Sequence, residues 1–85
     1  MDTDSPPTVA TRIIAELTTS LRERRCRTVL INMHPLVADH LYQKRTADIS
    51  KLEETHQTLI IPVARDGYQA AQYEILKSED DDTTP

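Results

Sequence analysis

The chain has 85 residues, with 10 Lys and Arg against 14 Asp and Glu, one Cys, one Gly, and neither Trp nor Phe. That length bounds it to one domain with a core near the lower limit for independent folding, and 38% apolar with 28% charged residues excludes a chain disordered throughout. No apolar run approaches a membrane span, Met1-Asp2-Thr3-Asp4 does not read as a signal peptide, and one Cys excludes an internal disulfide or a multi-cysteine zinc site, so a reducing cytoplasm is the expected location.

The net charge of −4 is unevenly placed. Asp2, Asp4, Glu79, Asp80, Asp81 and Asp82 lie at the two ends, where there is no base. Residues 8–77 therefore hold 10 bases against 8 acids and are net +2. Residues 1–7 and the acidic tail 78–85 have little to bury and are expected to be disordered, which leaves residues 8–77 as the folding unit.

From Thr8 to about Glu23, Val9, Ile13, Leu17 and Leu21 recur every four positions, with Ala10 and Ile14 widening the stripe, which predicts an amphipathic helix entered at Ser5 or the prolines. Arg22, Arg24, Arg25 and Arg27 follow at or just beyond its end, where cations favour the negative pole of the helix dipole. Thr28-Val29-Leu30-Ile31 is continuous and rich in β-branched residues, so a buried strand is expected. Asn32-Met33-His34-Pro35 then turns the chain, and Pro35 suits the first turn of a helix carrying Leu36, Val37, Ala38 and Leu41 to about Lys44-Arg45. Thr46 or Asp48 is the expected cap of a further short helix with Ile49 and Leu52, ending near Thr55. Thr58–Val63 reads as a second strand, and Pro62, which has no N–H to donate, places it at a sheet edge. After the turn Arg65-Asp66-Gly67, the alternating Gln72-Tyr73-Glu74-Ile75-Leu76 closes the fold as a third strand. The expected fold is α/β (α+β): a small three-stranded mixed sheet with three helices in the order α-β-α-α-β-β, the first helix covering one face. The core and interface positions are Val9, Ile13, Leu17, Leu21, Val29, Ile31, Leu41 and Tyr73. A layer this small buries little apolar surface alone, which suggests a piece that docks.

Catalytic signatures are missing. His34, His40 and His56 lack the i, i+4 spacing of a helical zinc pair, and they read better as exposed or capping residues. Cys26 has no partner pattern for nucleophilic chemistry, and one Gly cannot build a phosphate loop. Glu53-Glu54 reads as a solvated helix face, and the remaining acids form no magnesium-holding constellation. No catalytic residue and no metal ligand is assigned. The arginine cluster is the feature with chemical reach: Arg22, Arg24, Arg25 and Arg27 suit phosphate contacts, with Lys44 and Arg45 as an extension. Tyr42, Tyr68 and Tyr73 lie in no recognised base-stacking motif.

The order of these motifs resembles the small C-terminal domain of the catalytic region in the ribonuclease E/G family, across residues 5–77. Ser5-Pro6 with Thr8-Val9 and the long helix resembles its start, and Val29-Leu30-Ile31 its first strand. Pro35-Leu36-Val37-Ala38 with Leu41 is similar to the family's Pro-x-Val-Ala-x-x-Leu helix, and Leu52-Glu53 to the hydrophobic-Glu pair before its second strand. Tyr68 and Gln72-Tyr73-Glu74-Ile75 resemble its closing Tyr-x-Gln-x-Gln-aromatic-acid-aliphatic segment. Gln57 stands at a turn where relatives often carry glycine, and Ala70-Ala71 replace more polar residues. The resemblance implies RNA processing and turnover, with a role in quaternary contacts around an endoribonuclease core. The family's magnesium-holding acids, the pocket for the RNA 5′ end, the S1 domain and the cysteine zinc link lie upstream of this domain. This chain is therefore expected to need no cofactor and to be non-catalytic by itself. Its expected partners are a second copy or a ribonuclease catalytic core, with RNA as a further one through the arginines, and no membrane. The alternative expectation is a small RNA-binding accessory protein that uses the arginine cluster.

Overall fold

A computed structural model describes residues 5–78; the N-terminal acids and the tail acids from Glu79 onward lie outside the described residues. The elements are α1 (Pro6–Glu23), β1 (Thr28–Met33), α2 (Pro35–Lys44), α3 (Thr46–His56), β2 (Leu59–Ala64) and β3 (Tyr73–Ser78). This is the expected α-β-α-α-β-β order. Helix α1 starts at Pro6, two residues before Thr8, because the first helical turn has no N–H to lose at proline. Strand β1 runs to Met33 instead of stopping at Ile31; the residue before a proline prefers extended backbone, and His34, at φ −63 and ψ 144, obeys it.

The cap of α3 differs from expectation. Arg45 holds the cap position with no side-chain cap bond, and Thr46 is already helical. The Thr46 hydroxyl donates backward to the Tyr42 carbonyl at 2.5 Å, and Asp48 instead accepts from Arg45 Nε at 2.6 Å. The short α2–α3 joint leaves both side chains closer to the preceding turn than to the new helix's amides. His34 does cap α2, its Nδ1 accepting the Leu36 N–H at 3.0 Å.

The sheet order is β2-β1-β3, with β1 parallel to β2 and antiparallel to β3. Pro62 is on an edge strand, as its missing donor requires. Val29, Ile31 and Met33 alternate toward the helices and are fully buried, joined by Ile60 from β2. Against them pack Val9, Ala10, Ile13, Leu17 and Leu21 of α1, Val37, Ala38 and Leu41 of α2, and Leu52 of α3. Seven of the eight expected core positions are buried. Tyr73 is half-buried at the margin, with its ring against the core and its hydroxyl donating to Glu16 Oε1 at 2.5 Å. Cys26 is a buried free thiol just before β1.

Candidate functional site

All three helices lie on one side of the sheet, so the other side has no second layer among the described residues. Alternation along a strand then decides what that side shows. On β1 it presents Thr28, Leu30 and Asn32; the register places Leu59, Ile61 and Val63 of β2 and Glu74, Leu76 and Ser78 of β3 beside them. Leu59 is 54% and Leu76 45% exposed, and Leu30, Ile61 and Val63 are half-buried. A shallow depression of about 400 Å³ lies between Thr28, Leu30, Leu76, Lys77 and Ser78. Near its end the face becomes polar: Asn32 is buried, and its Oδ1 accepts from Arg65 Nε at 2.9 Å. The face is an apolar row with a polar rim, a composition that marks contact surfaces more than solvent-facing ones.

The basic residues divide into two places. Arg22 stands in the last turn of α1, and Arg24, Arg25 and Arg27 follow in the link to β1, all exposed. Lys44 and Arg45 lie at the α2–α3 joint, where Arg45 Nη1 donates to Thr11 Oγ1 at 3.0 Å. Thr11 precedes Arg22 by eleven helical residues, about 16 Å along α1. Arg45 is thus remote from the arginine cluster and is already engaged with Asp48. What the fold places beside Arg22 is α3: Lys51, Leu52, Thr55 and His56 line a groove of about 420 Å³ with Ile14, Thr18, Arg22 and Asp48. Arg22 and Lys51 form no ion pair among the described residues, while Asp48 is paired with Arg45. Lys51 and His56 joined this basic groove unannounced, because only the packing of α3 on α1 brings them there.

Several acids serve structure. Glu53 does not belong to a solvated face as its pairing with Glu54 suggested: it is half-buried, and its Oε2 accepts the Ile60 N–H of β2 at 2.9 Å. Glu54 is exposed. Glu74 accepts from the Tyr68 hydroxyl and Asp39 from the Gln43 amide. Burial, and next the hydrogen bond to Glu16, push the Tyr73 phenol above its usual value, so its proton stays on the ring oxygen. The three histidines are spread over the α2 cap, the middle of α2 and the last turn of α3. Among the described residues no three His, Cys, Asp or Glu side chains stand close enough to hold a metal. No helix among them is long and apolar enough to cross a membrane. No protein-family model matches the chain, and no curated protein matches it.

Proposed function

We propose that the chain is a non-catalytic assembly module linked to RNA processing, similar to the small domain of the ribonuclease E/G catalytic region. It docks through the bare face of its sheet, onto a second copy or a ribonuclease catalytic core. The observation that carries this reading is the apolar row Leu30, Leu59, Ile61, Val63 and Leu76 on a face that no described element covers. Burying such a row releases roughly 25 cal/mol for each Å² of apolar surface, a driving force for association that a folded monomer leaves unused. Two further observations support it. Gln57 has φ 51, the left-handed geometry that favours glycine, and it occupies the turn where the resembled family often has one. Glu16, Asp48, Asp39, Glu74 and Glu53 are occupied by Tyr73, Arg45, Gln43, Tyr68 and the Ile60 amide, which leaves these five acids poorly placed to hold magnesium.

Light scattering on the full chain, alone and mixed with a ribonuclease E/G catalytic region, tests the proposal. A concentration-dependent rise in mass, or a stable mixed complex, is the expected result. Leu59→Asp combined with Val63→Asp, both on β2 and directed away from the core, weakens it while the circular dichroism spectrum stays unchanged. A chain that remains monomeric in both settings overturns the reading.

A second reading rests on the groove between α1 and α3, which Arg22 and Lys51 line together and whose acid, Asp48, is paired with Arg45. Phosphates of single-stranded RNA fit that arrangement. Fluorescence anisotropy then shows affinity falling steeply with salt, because bound phosphates release condensed counterions. Arg22→Glu with Lys51→Glu lowers RNA affinity by about tenfold or more through the loss of two phosphate contacts. Unchanged RNA retention by that variant removes this reading.

A further inference from the structure

The two edges of the sheet are treated differently by the sequence. In β2 the N–H of Leu59 donates to Arg27 O and, beyond the strand end, Arg65 N–H donates to Met33 O, at 3.0 and 2.8 Å. Backbone groups alternate in direction along a strand, so the odd-numbered residues of β2 face β1 and the even-numbered ones face outward. Of these, the Ile60 N–H is taken by Glu53, and Pro62 has none. The β2 edge is closed to a further strand across its centre.

The same phase fixes β3. The groups of Val29, Ile31 and Met33 in β1, and of Arg27 just before it, face β2, so those of Thr28, Leu30 and Asn32 face β3. Their register partners Ser78, Leu76 and Glu74 face inward, and Tyr73, Ile75 and Lys77 turn their N–H and C=O groups outward. No hydrogen bond from a described residue meets these outward groups. Among the described residues there is no proline, bulge or capping carboxylate on this side.

From this asymmetry we infer that β3 is a second contact surface beside the bare face, and that its occupant is the β3 of a second copy, paired antiparallel about a two-fold axis at Ile75. This rests on the assembly reading and names the partner and the register. The register is self-complementary. Ile75 pairs with its own copy, and Tyr73 stands opposite Lys77 of the other chain, so no like charges face one another. Lys77 points to the helix layer, where its ammonium donates to Ser20 Oγ at 2.6 Å; Tyr73 points the same way and holds Glu16. Across the two-fold, each Lys77 thus meets the Tyr73–Glu16 pair of the other copy. An edge lysine discourages strands that offer no counter-charge, and in this register it is matched. Pairing makes one sheet of six strands with β2 at both outer edges, each closed by Glu53 and Pro62. It also joins the two bare faces into one, with Leu76 of each copy beside Glu74 of the other at the seam and Leu30 one strand further out.

Lys77→Pro tests the edge. The N–H it removes faces outward, so the ladder to β1 is kept, as at Pro62. Dimer affinity falls roughly tenfold or more with the loss of two symmetry-related hydrogen bonds and two lysines, and unchanged circular dichroism confirms the fold. The register is tested by oxidation. Glu74 and Leu76 of the two copies form a non-hydrogen-bonded pair, whose short Cα separation suits a disulfide. A mixture of Glu74→Cys and Leu76→Cys chains cross-links readily, and each variant alone does not. Cross-linking of either variant alone overturns the register. A dimer that Lys77→Pro leaves intact and Leu59→Asp with Val63→Asp breaks overturns the edge pairing while the face reading stands. A chain that binds a catalytic core but never itself overturns the second copy as occupant.

Discussion

Ile31→Ala leaves the domain close to unfolded at 25 °C. Ile31 is fully buried at the middle of the central strand, beneath α1 and α2. Its truncation removes three carbons from a site that rigid neighbours on both strands cannot refill, at a cost of about 2–5 kcal/mol. A folding unit this small has about that much stability in total. Urea denaturation followed at 222 nm measures the loss. Ile31→Val, which removes one methyl, costs about 0.5–1.5 kcal/mol and keeps a cooperative transition. Leu59→Ala, a larger truncation on an exposed side chain, changes the stability by at most about 0.5 kcal/mol. If Ile31→Ala and Leu59→Ala melt alike, the assignment of the two sheet faces is wrong.

That contrast between two aliphatic residues marks the limit of the sequence. Ile31 and Leu59 look alike in a strand pattern, since both sit in continuous apolar runs where alternation is hidden. Spacing sufficed for α1, because Val9, Ile13, Leu17 and Leu21 repeat at the helical period and a helix settles its own geometry locally. Pro62 announced an edge strand by its missing donor alone. The strand order β2-β1-β3 is a pairing between residues about 30 to 50 positions apart, and nothing local encodes which strand takes the centre. Consequently the bare face could be suspected from size but not assigned to residues. The same non-locality separated Arg45 from the arginine cluster: its tie to Thr11 spans 34 positions. It also brought Lys51 and His56 to Arg22, which no run of charges displays. Asn32, read as part of a turn, lies buried in β1 because Arg65 covers it from the far end of β2.

Glu53→Ala is the second large effect, and it separates stability from protection of the edge. The Ile60 N–H faces away from β1, beside a buried side chain, and Glu53 is its acceptor. Removing the carboxylate leaves that donor unmet at a cost of about 1–3 kcal/mol. Glu53→Gln keeps an oxygen at the same reach and loses less, which distinguishes the hydrogen bond from the mere presence of a charge. Neither variant alone creates a continuous template for strand addition, because Pro62 still interrupts the outward donors between Ile60 and Ala64. Glu53→Ala is therefore expected to shift the urea midpoint without aggregation. Adding Pro62→Val restores the missing N–H, and the row of outward donors from Ile60 to Ala64 becomes continuous. The double variant should form growing assemblies by light scattering at concentrations where Glu53→Ala stays limited in size. A Pro62→Val chain that aggregates as strongly with Glu53 intact would assign the guard to the proline alone. With both in place, β3 is left among the described strands as the edge open to the proposed pairing, and strand addition by that pairing would end at two copies.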